Sequence, residues 1–459
     1  MIPYVVTAAK DDIRPIFVVE KDMVSGWLES RSAAEQRWIA DQNFKAEDGR
    51  HILLPGSDGG VSAILFVRGR DWDIWSLAGL PSSLPKGTYR IEGDLDAAAA
   101  TDVVAGWSLG TYAFDRYKKD ETEYASLVMP SGADEAAALR TVRALTLVRD
   151  LINIPAGDLG PAALEDATSQ VAGEYEAEQV NIVGDDLLTY HFPMVHAVGR
   201  ASDQKPRLVD MIWGDKKAPK VTLVGKGVCF DTGGLDIKSA AGMILMKKDM
   251  GGAANVLGLA QMIMDANLPV RLRVLIPAVE NAISGNAFRP SDILKSRSGK
   301  TVEIGNTDAE GRLILADALT AADEEEPDLL IDMATLTGAA RVAVGTELSA
   351  TFTDDNDLYA ALEAHGKAVK DAVWRMPLWD DYRHMLDSKI ADINNTSSGG
   401  YAGAITAALF LKEFVKKAKS WVHFDIMGYN TRSRPGRPVG GEAFAIRALF
   451  AVIKERYGN

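Results

Sequence analysis

The sequence predicts an α/β protein with a smaller N-terminal α/β domain and a larger C-terminal α/β domain, whose mixed, largely parallel sheet is flanked by helices. Its 459 residues exceed the length of one typical domain. From about residue 156 onwards, short runs typical of strands alternate with helix-like stretches. A Pro-Ser-Gly break near residue 130 separates this region from a shorter α/β pattern that precedes it.

The predicted N-terminal domain comprises residues 1–130. Residues 16–19 and 61–67 are rich in Val, Ile and Phe and indicate strands, whereas the Ala-rich stretch 97–117 indicates a helix. We find no cluster of chemically active side chains in this part. Its sequence therefore predicts no activity, and contacts between subunits are the role left open for it.

A connecting helix is predicted within residues 131–155, because apolar residues recur at helical spacing until Pro155 and Gly157 end the pattern. Residues 156–459 then form the predicted C-terminal domain. In sheets of this kind, ligands bind at the carboxyl ends of the strands. The clearest strands are 221–224, 272–276, 329–333 and 422–426, and the clearest helices are 251–266 and 313–323.

Charge and cysteine content narrow the function classes. The formal net charge of −14 disfavours a general nucleic-acid surface. The single cysteine, Cys229, excludes a disulfide within the chain and a Cys-based zinc site, which is typical of a reducing compartment. No apolar run reaches the roughly 18 residues of a membrane span, and no signal peptide is recognised at the start. We therefore expect a cytoplasmic protein without a membrane partner.

Two Gly-rich clusters carry polar residues that could bind a ligand. In residues 224–238, glycines flank Lys226, and Asp231 and Lys238 follow it. The order of a phosphate-binding loop is absent, so a tight turn is the simpler alternative. In residues 246–252, Asp249 precedes a Gly-Gly pair and an apolar helix, and a helix cap is the alternative there.

The third cluster, residues 306–313, places Asp308 and Glu310 two positions apart and Arg312 two positions further on. In an extended segment these side chains point to one side. Two carboxylates forced together repel each other, and a cation relieves the repulsion. With Asp231 and Asp249, these hard oxygen ligands suit two divalent ions, although a polar loop before a helix remains the alternative.

The clusters resemble, in order and spacing, those of the leucyl aminopeptidase family, also called the cytosol aminopeptidases. The strongest likeness is the octapeptide Asn-Thr-Asp-Ala-Glu-Gly-Arg-Leu at 306–313. The resemblance covers roughly residues 135–459, so residues 156–459 would be a catalytic domain with a dinuclear metal centre. Further matching segments are 224–238, 246–252, 334–339, 403–407 and 423–428.

By position, the resemblance implies two divalent metal ions per subunit, Zn²⁺ or Mn²⁺, with Mg²⁺ as a further candidate. Lys226 would bind as a neutral amine, because two neighbouring dications favour loss of its proton. One ion would be held by Lys226, Asp231, Asp249 and Glu310, and the other by Asp231, Asp308, Glu310 and the main-chain carbonyl of Asp308.

The implied activity is metal-dependent hydrolysis of N-terminal residues, preferably apolar and leucine-like, by a hydroxide that bridges the two ions. Lys238 would donate to the developing oxyanion. Arg312 would hold a bicarbonate ion that carries a proton to the leaving amine. The pocket for the first side chain would be shaped by Met246, Thr335, Leu336 and Gly338.

The family likeness also implies a homohexamer that acts on peptides. One alternative function is a DNA-binding accessory protein on the same scaffold, against which the acidic charge argues. Another is a different two-metal hydrolase such as a phosphatase. The presence of Lys226 among the ligands, and of Lys238 together with Arg312, disfavours that alternative.

Overall fold

The computed structural model describes residues 1–7, 12–69 and 72–458, and it divides into two compact units. The first unit contains Met1–Thr146 and Arg432–Pro438, and the second contains Leu147–Thr431 and the chain from Val439 onwards. No sequence pattern indicated that the short segment Arg432–Pro438 groups with the first unit. The domain bounds at 130 and 155 stay predictions.

The first unit contains a six-stranded sheet with strand order β1-β6-β5-β2-β4-β3 in the described ranges. All neighbouring strands are parallel except β3 and β4, which pair antiparallel. Its strands are β1 (Val5–Val6), β2 (Ile13–Glu20), β3 (His51–Pro55), β4 (Val61–Arg68), β5 (Thr88–Glu92) and β6 (Ser126–Val128). Its helices are α1 (Val24–Glu29), α2 (Ala33–Asp41), α3 (Leu80–Ser83) and α4 (Ala97–Leu109).

Helix α4 is shorter than the sequence predicted, since it ends at Leu109 and not at residue 117. The residue that follows the helix is closely packed. A Cβ at Gly110 would lie 2.2 Å from the carbonyl oxygen of Ala78, so the chain can pass this point only as glycine. Helix α5 (Glu135–Asn153) agrees closely with the predicted connecting helix.

The second unit contains a nine-stranded sheet with strand order β16-β15-β18-β14-β9-β11-β8-β7, in which β10 pairs with β11. Its centre is parallel, whereas β8, β7 and β15 join antiparallel. The strands of this unit are β7 (Glu178–Val183), β8 (Arg207–Trp213), β9 (Lys220–Gly225), β10 (Gly227–Asp231), β11 (Arg271–Asn281), β12 (Ile293–Lys295), β13 (Thr301–Glu303), β14 (Leu329–Ala334), β15 (Ser349–Phe352), β16 (Val373–Arg375), β17 (Ile393–Asn394), β18 (Trp421–Asp425), β19 (Tyr429–Asn430) and β20 (Gly440–Gly441).

Two groups of helices cover this sheet. Helix α10 (Gly251–Asp265) packs against β9, β14 and helix α15 (Ile446–Tyr457). Helix α11 (Gly311–Asp323) packs against β11 and helices α8 (Pro193–Gly199) and α14 (Gly403–Lys412). Helices α10 and α11 are almost entirely buried, which explains their Ala- and Leu-rich sequences. The helices are α6 (Pro161–Glu174), α7 (Asp186–Thr189), α8 (Pro193–Gly199), α9 (Ala240–Met243), α10 (Gly251–Asp265), α11 (Gly311–Asp323), α12 (Gly338–Val344), α13 (Asn356–Ala368), α14 (Gly403–Lys412) and α15 (Ile446–Tyr457).

The predicted fold class is confirmed, with a mixed and largely parallel sheet flanked by helices in the larger unit. None of the helices in the described ranges is long and apolar enough to cross a lipid bilayer. The carboxyl ends of the parallel strands β9, β10, β11, β14 and β18 meet at one edge of the sheet. The predicted clusters therefore lie where this architecture binds ligands.

Helix α10 begins directly against this edge. A Cβ at Gly252 would lie 2.1 Å from the carbonyl oxygen of Met333, the penultimate residue of β14. The Gly-Gly pair therefore allows the helix to approach the strand ends more closely than any other residue would. This approach holds the short 3-10 helix Met246–Met250 next to the edge of the sheet.

Candidate metal centre

Three carboxylates converge at the edge of the sheet. Asp231, Asp308 and Glu310 each offer an oxygen atom, and these atoms all lie within 4.8 Å of one another. Asp231 and Glu310 are buried, and Asp308 is partly exposed. The residues 306–309 form a turn, closed by the Ala309 N–H on the Asn306 carbonyl, and not the extended segment that the spacing suggested. The two acidic side chains of that segment nevertheless reach the same site.

Lys226 brings a fourth carboxylate, Asp249, into the site. Its Nζ lies 2.8 Å from Asp249 Oδ2 and 3.0 Å from Glu310 Oε1. The hydroxyl of Thr335 donates to Asp249 Oδ1 at 2.7 Å and holds that carboxylate in place. Asp249 caps no helix, because Met250 is the N-cap residue of α10 and makes no side-chain cap. The helix-cap alternative for Asp249 is therefore wrong.

Lys238 occupies a corresponding position between the other two carboxylates. Its Nζ lies 2.7 Å from Asp231 Oδ2 and forms a closer ion pair with Asp308 Oδ1. Each of the two ammonium groups, on Lys226 and on Lys238, is thus placed between a pair of carboxylates. The site therefore has two adjacent positions where positive charge is stabilised.

Burial and mutual repulsion perturb the ionisation of these groups. Burial, together with the neighbouring Asp231 carboxylate, raises the pKa of Glu310 to about 8. The pKa of Asp308 is also raised, by burial and by Asp231. Burial alone would lower the pKa of Lys226, but the carboxylates of Asp249 and Glu310 outweigh it and raise that pKa. The carboxylates thus need positive charge beside them to ionise fully.

The donor set fits divalent cations. Apart from the ion pair of Oε1 with Lys226, neither oxygen of the buried Glu310 carboxylate accepts a hydrogen bond from a described residue. A buried carboxylate left in this state is costly unless a cation binds it. Carboxylate and carbonyl oxygens with one amine nitrogen suit Mg²⁺, Mn²⁺ and Zn²⁺. We conclude that the residues present can hold metal ions.

Arg312 lies in the first turn of helix α11, where the residue is partly exposed but its Nε atom is buried. Its Nη1 donates to the Asn395 carbonyl at 2.6 Å, while Nε has no hydrogen-bond partner in the described part of the chain. Burial lowers the pKa of Arg312 to about 10. A buried guanidinium with an unused donor is a suitable place for a small anion.

The residues predicted to shape a substrate pocket follow strand β14 or lie in the 3-10 helix. Met246 is buried in that 3-10 helix, and Gly338 begins helix α12. The Asp425 carboxylate accepts the backbone N–H of Leu336 at 3.0 Å and thereby fixes the loop after β14. The Thr335 hydroxyl is used by Asp249, so only the rest of this residue is available to a pocket.

Four polar residues near the site were not among the predicted functional residues. Asn281 and Asp425 end the buried strands β11 and β18, and a polar residue at the end of such a strand is a signal that could have identified them. Asp236 accepts the Thr307 N–H at 2.8 Å and joins the first cluster to the third. Asn395 lies far away in sequence from the other residues of the site, and no sequence pattern indicated it.

Comparison with protein families identifies the chain over most of its length. The model described as "Cytosol aminopeptidase family, catalytic domain" matches residues 146–450. The model described as "M17 aminopeptidase, N-terminal domain" matches residues 14–130. Together these matches include every residue of the candidate metal centre.

Curated relatives and solved structures agree. A probable cytosol aminopeptidase of Stenotrophomonas maltophilia is 43% identical over 341 residues, which are 72% of this chain and 69% of the relative. The crystal structure of a cytosol aminopeptidase from Coxiella burnetii has a TM-score of 0.94 and 46% identity, with 99% of each chain covered. The bottromycin maturation enzyme BotP in complex with Mn has a TM-score of 0.85 and 31% identity, covering 97% of this chain and 100% of its own. The resemblance found in the sequence is therefore confirmed, and the chain belongs to the cytosol aminopeptidase family of metallo-exopeptidases.

Proposed function

We propose that this aminopeptidase removes N-terminal residues, preferably apolar and leucine-like, from peptides with the help of two bound divalent metal ions. The observation that carries the proposal is the pairing of two ammonium groups with four carboxylates. Lys226 lies between Asp249 and Glu310, and Lys238 lies between Asp231 and Asp308. Two separate positions for positive charge are what a dinuclear site requires.

The ligands divide between the two ions according to these pairs. Lys226, as a neutral amine, and Asp249 would hold one ion, and the Asp308 carboxylate and main-chain carbonyl would hold the other. Asp231 and Glu310 would contact both ions, which their burial and mutual proximity support. Zn²⁺ and Mn²⁺ are the expected metals, and Mg²⁺ is a third candidate.

Two bound dications would supply Lewis acidity towards the peptide carbonyl and would favour the ionisation of water at neutral pH. The residues of the chain then stabilise and move charge. Lys238 Nζ, next to the Asp231 and Asp308 carboxylates, would donate a hydrogen bond to the oxyanion as it develops. Arg312 would hold bicarbonate, which passes a proton to the leaving amine, and its unused Nε donor supports this role.

The first side chain of the peptide would lie against Met246, Thr335, Leu336 and Gly338. These residues offer mainly apolar contacts, because the polar group of Thr335 is already bonded to Asp249. An apolar pocket discriminates by only about 1–3 kcal/mol per methylene. We therefore expect a preference for leucine-like residues with broad tolerance.

Assembly and location belong to the same proposal. We expect a homohexamer in the cytoplasm, as the family resemblance implies, and peptides as its substrates. Light scattering of the purified protein tests the assembly directly, and a monomer at micromolar concentration would contradict it.

The activity is tested with aminoacyl anilides in the presence of Mn²⁺, Zn²⁺ or Mg²⁺. We expect the leucine anilide to be cleaved fastest and an N-acetylated leucine anilide to be left intact, since an exopeptidase needs the free amine. Glu310→Gln, which removes one ligand charge, serves as the inactive control. Equal cleavage of the acetylated and free substrates would exclude the proposed exopeptidase action.

A further inference from the structure

The loop 305–310 carries two of the acidic residues of the metal centre, and its main-chain groups are held from two sides. The loop lies between strand β13 and helix α11. It contains little regular structure of its own beyond the turn at 306–309. Side chains from elsewhere in the second unit must therefore determine which way its carbonyl groups point.

Asn395 holds one side of the loop with all of its hydrogen-bonding capacity. Its Oδ1 accepts the N–H groups of Gly305 at 2.8 Å and Asn306 at 3.3 Å. Its Nδ2 donates to the carbonyls of Asn306 at 2.8 Å and Ala309 at 3.4 Å. The side chain is fully buried, and these four partners permit only one orientation of the amide. The main-chain carbonyl of the same residue accepts Arg312 Nη1 at 2.6 Å.

Asn281 holds the other side of the loop. Its Nδ2 donates to the Thr307 carbonyl at 3.1 Å and to Asp231 Oδ1 at 2.9 Å. Both partners are acceptors, so the amide nitrogen must face them. Asn281 is buried at the carboxyl end of strand β11, next to Asp231 in the paired strand β10. One amide therefore links a carboxylate of the first cluster to the loop of the third.

Between Asn306 and Glu310, the two asparagines and helix α11 leave one main-chain carbonyl without a donor among the described residues. The carbonyls of Asn306 and Ala309 face Asn395, that of Thr307 faces Asn281, and that of Glu310 accepts N–H groups of helix α11. Within the described residues, no hydrogen bond reaches the main-chain carbonyl of Asp308. That oxygen remains available beside the Asp308 carboxylate.

We propose that Asn281 and Asn395 are positioning residues, which together clamp the loop 305–310 so that Asp308 presents both its carboxylate and its main-chain carbonyl to a bound metal ion. The inference rests on the proposed dinuclear site. The two residues act through the loop and touch no reacting atom. Asn395 also sets the position of Arg312, so the anion site and the metal site are held by one residue.

The test measures Mn²⁺ binding by calorimetry without substrate, and then kcat and KM for leucine anilide at saturating Mn²⁺. The variants are Asn395→Ala, Asn281→Ala and the double variant. Each single variant should weaken the binding of one Mn²⁺ by roughly 10- to 100-fold, as loss of a residue that orients a ligand does. We expect kcat to fall while KM changes less than about threefold, because the hydrogen bonds of the two amides go to the loop and to Asp231 and not to the predicted pocket residues. Since both amides hold one loop, the double variant should lose less than the product of the two single effects.

Asn395→Asp is a further variant, which tests the proposal even if Asn395→Ala does not fold. It keeps the volume and the two accepted bonds but places an oxygen opposite the carbonyls of Asn306 and Ala309. Leu362→Ala creates a cavity at a buried position of helix α13. It is the control for an effect of lost stability alone on metal binding. The proposal is overturned if every folded clamp variant binds both Mn²⁺ ions with an affinity within twofold of wild type, or if Leu362→Ala weakens binding equally.

The wild-type protein distinguishes this proposal from the proposed function. A wild type that binds two ions but cleaves no anilide would refute only the proposed substrate and leave the clamp intact. A wild type that binds no second Mn²⁺ would refute the dinuclear site and the clamp with it.

Discussion

Lys226 Nζ lies 3.0 Å from Glu310 Oε1, and both side chains are buried. The Asp249 carboxylate, and after it that of Glu310, raise the pKa of Lys226. A lysine can coordinate a cation only after it loses its proton. The carboxylates that keep the Lys226 amine protonated therefore oppose metal binding until that proton leaves.

The first prediction is that metal binding releases protons. At pH 7 the Lys226 ammonium must lose one proton, and Glu310, with a pKa of about 8, contributes part of another. Because protonated ligands dominate at low pH, the apparent affinity for Mn²⁺ should rise with pH between about 6 and 9. Calorimetry in two buffers with different ionisation enthalpies counts the protons. Lys226→Met should release at least about half a proton fewer, and equal release would contradict the neutral-amine role.

The second prediction separates Lys238 from the metal ligands. Lys238→Ala should lower kcat by about 10²–10³-fold, as loss of a single oxyanion donor does in other enzymes. Metal affinity should not fall, because removal of the ammonium beside Asp231 and Asp308 leaves more negative charge for the ions. Mn²⁺ titration of the same preparation checks this, with Asp308→Ala as the variant that should lose metal. A Lys238→Ala protein that is slow only because its metal is gone would refute the assigned role.

The third prediction concerns the anion at Arg312. Activity in buffer freed of bicarbonate should rise when bicarbonate is added, and Arg312→Ala should abolish this rise and lower kcat. The reason is that the buried guanidinium keeps an unused Nε donor. Arg375→Ala, which removes a guanidinium bonded to Asn356 and Thr353, is the matched control and should retain the stimulation. Stimulation that persists in Arg312→Ala would show that bicarbonate acts elsewhere.

The sequence predicted most of the site because its chemistry is local. Lys226 and Asp231 lie within six positions of each other at neighbouring strand ends, and Asp308, Glu310 and Arg312 lie within five. Short-range spacing and the alternation of strands with helices were enough to indicate that these residues meet. The same reasoning failed for the local backbone, since a turn replaces the extended segment that was expected at 306–310.

What the sequence could not predict depends on contacts between distant segments. Asn395 lies 83 positions from Arg312, and only the pairing of β17 with β13 brings it to the loop 305–310. A Cβ at Gly110, just after the end of helix α4, would lie 2.2 Å from the carbonyl oxygen of Ala78, 32 positions earlier in the chain. Neither contact leaves a periodic pattern, so propensity and spacing carry no information about them.

The last prediction concerns pH and stability, and it involves Asp317, a buried residue of helix α11. Its carboxylate accepts the backbone N–H of Met194 at 2.7 Å and of Arg297 at 2.8 Å. Burial nevertheless raises its pKa to about 7. The folded protein thus binds a proton that the unfolded chain, with an ordinary Asp, has lost above about pH 4. The stability that depends on this proton is complete below pH 4 and is lost as pH rises towards 7.

Asp317→Asn removes the titrating group and should therefore gain stability relative to wild type as pH rises. Between pH 5.5 and 8.5, the difference in free energy of unfolding should move by about 2 kcal/mol in favour of the variant. Urea unfolding at several pH values measures this difference. Asp355→Asn is the control, because the Leu358 N–H and the Ser420 hydroxyl outweigh the effect of burial there and lower the pKa of Asp355. A carboxylate with a lowered pKa loses its stabilising effect only in acid, below its ordinary pKa. The difference in free energy of unfolding between Asp355→Asn and wild type should therefore stay constant over this pH range. An equally constant difference for Asp317→Asn would mean that the N–H groups of Met194, Val195 and Arg297 keep the carboxylate ionised at pH 5.5.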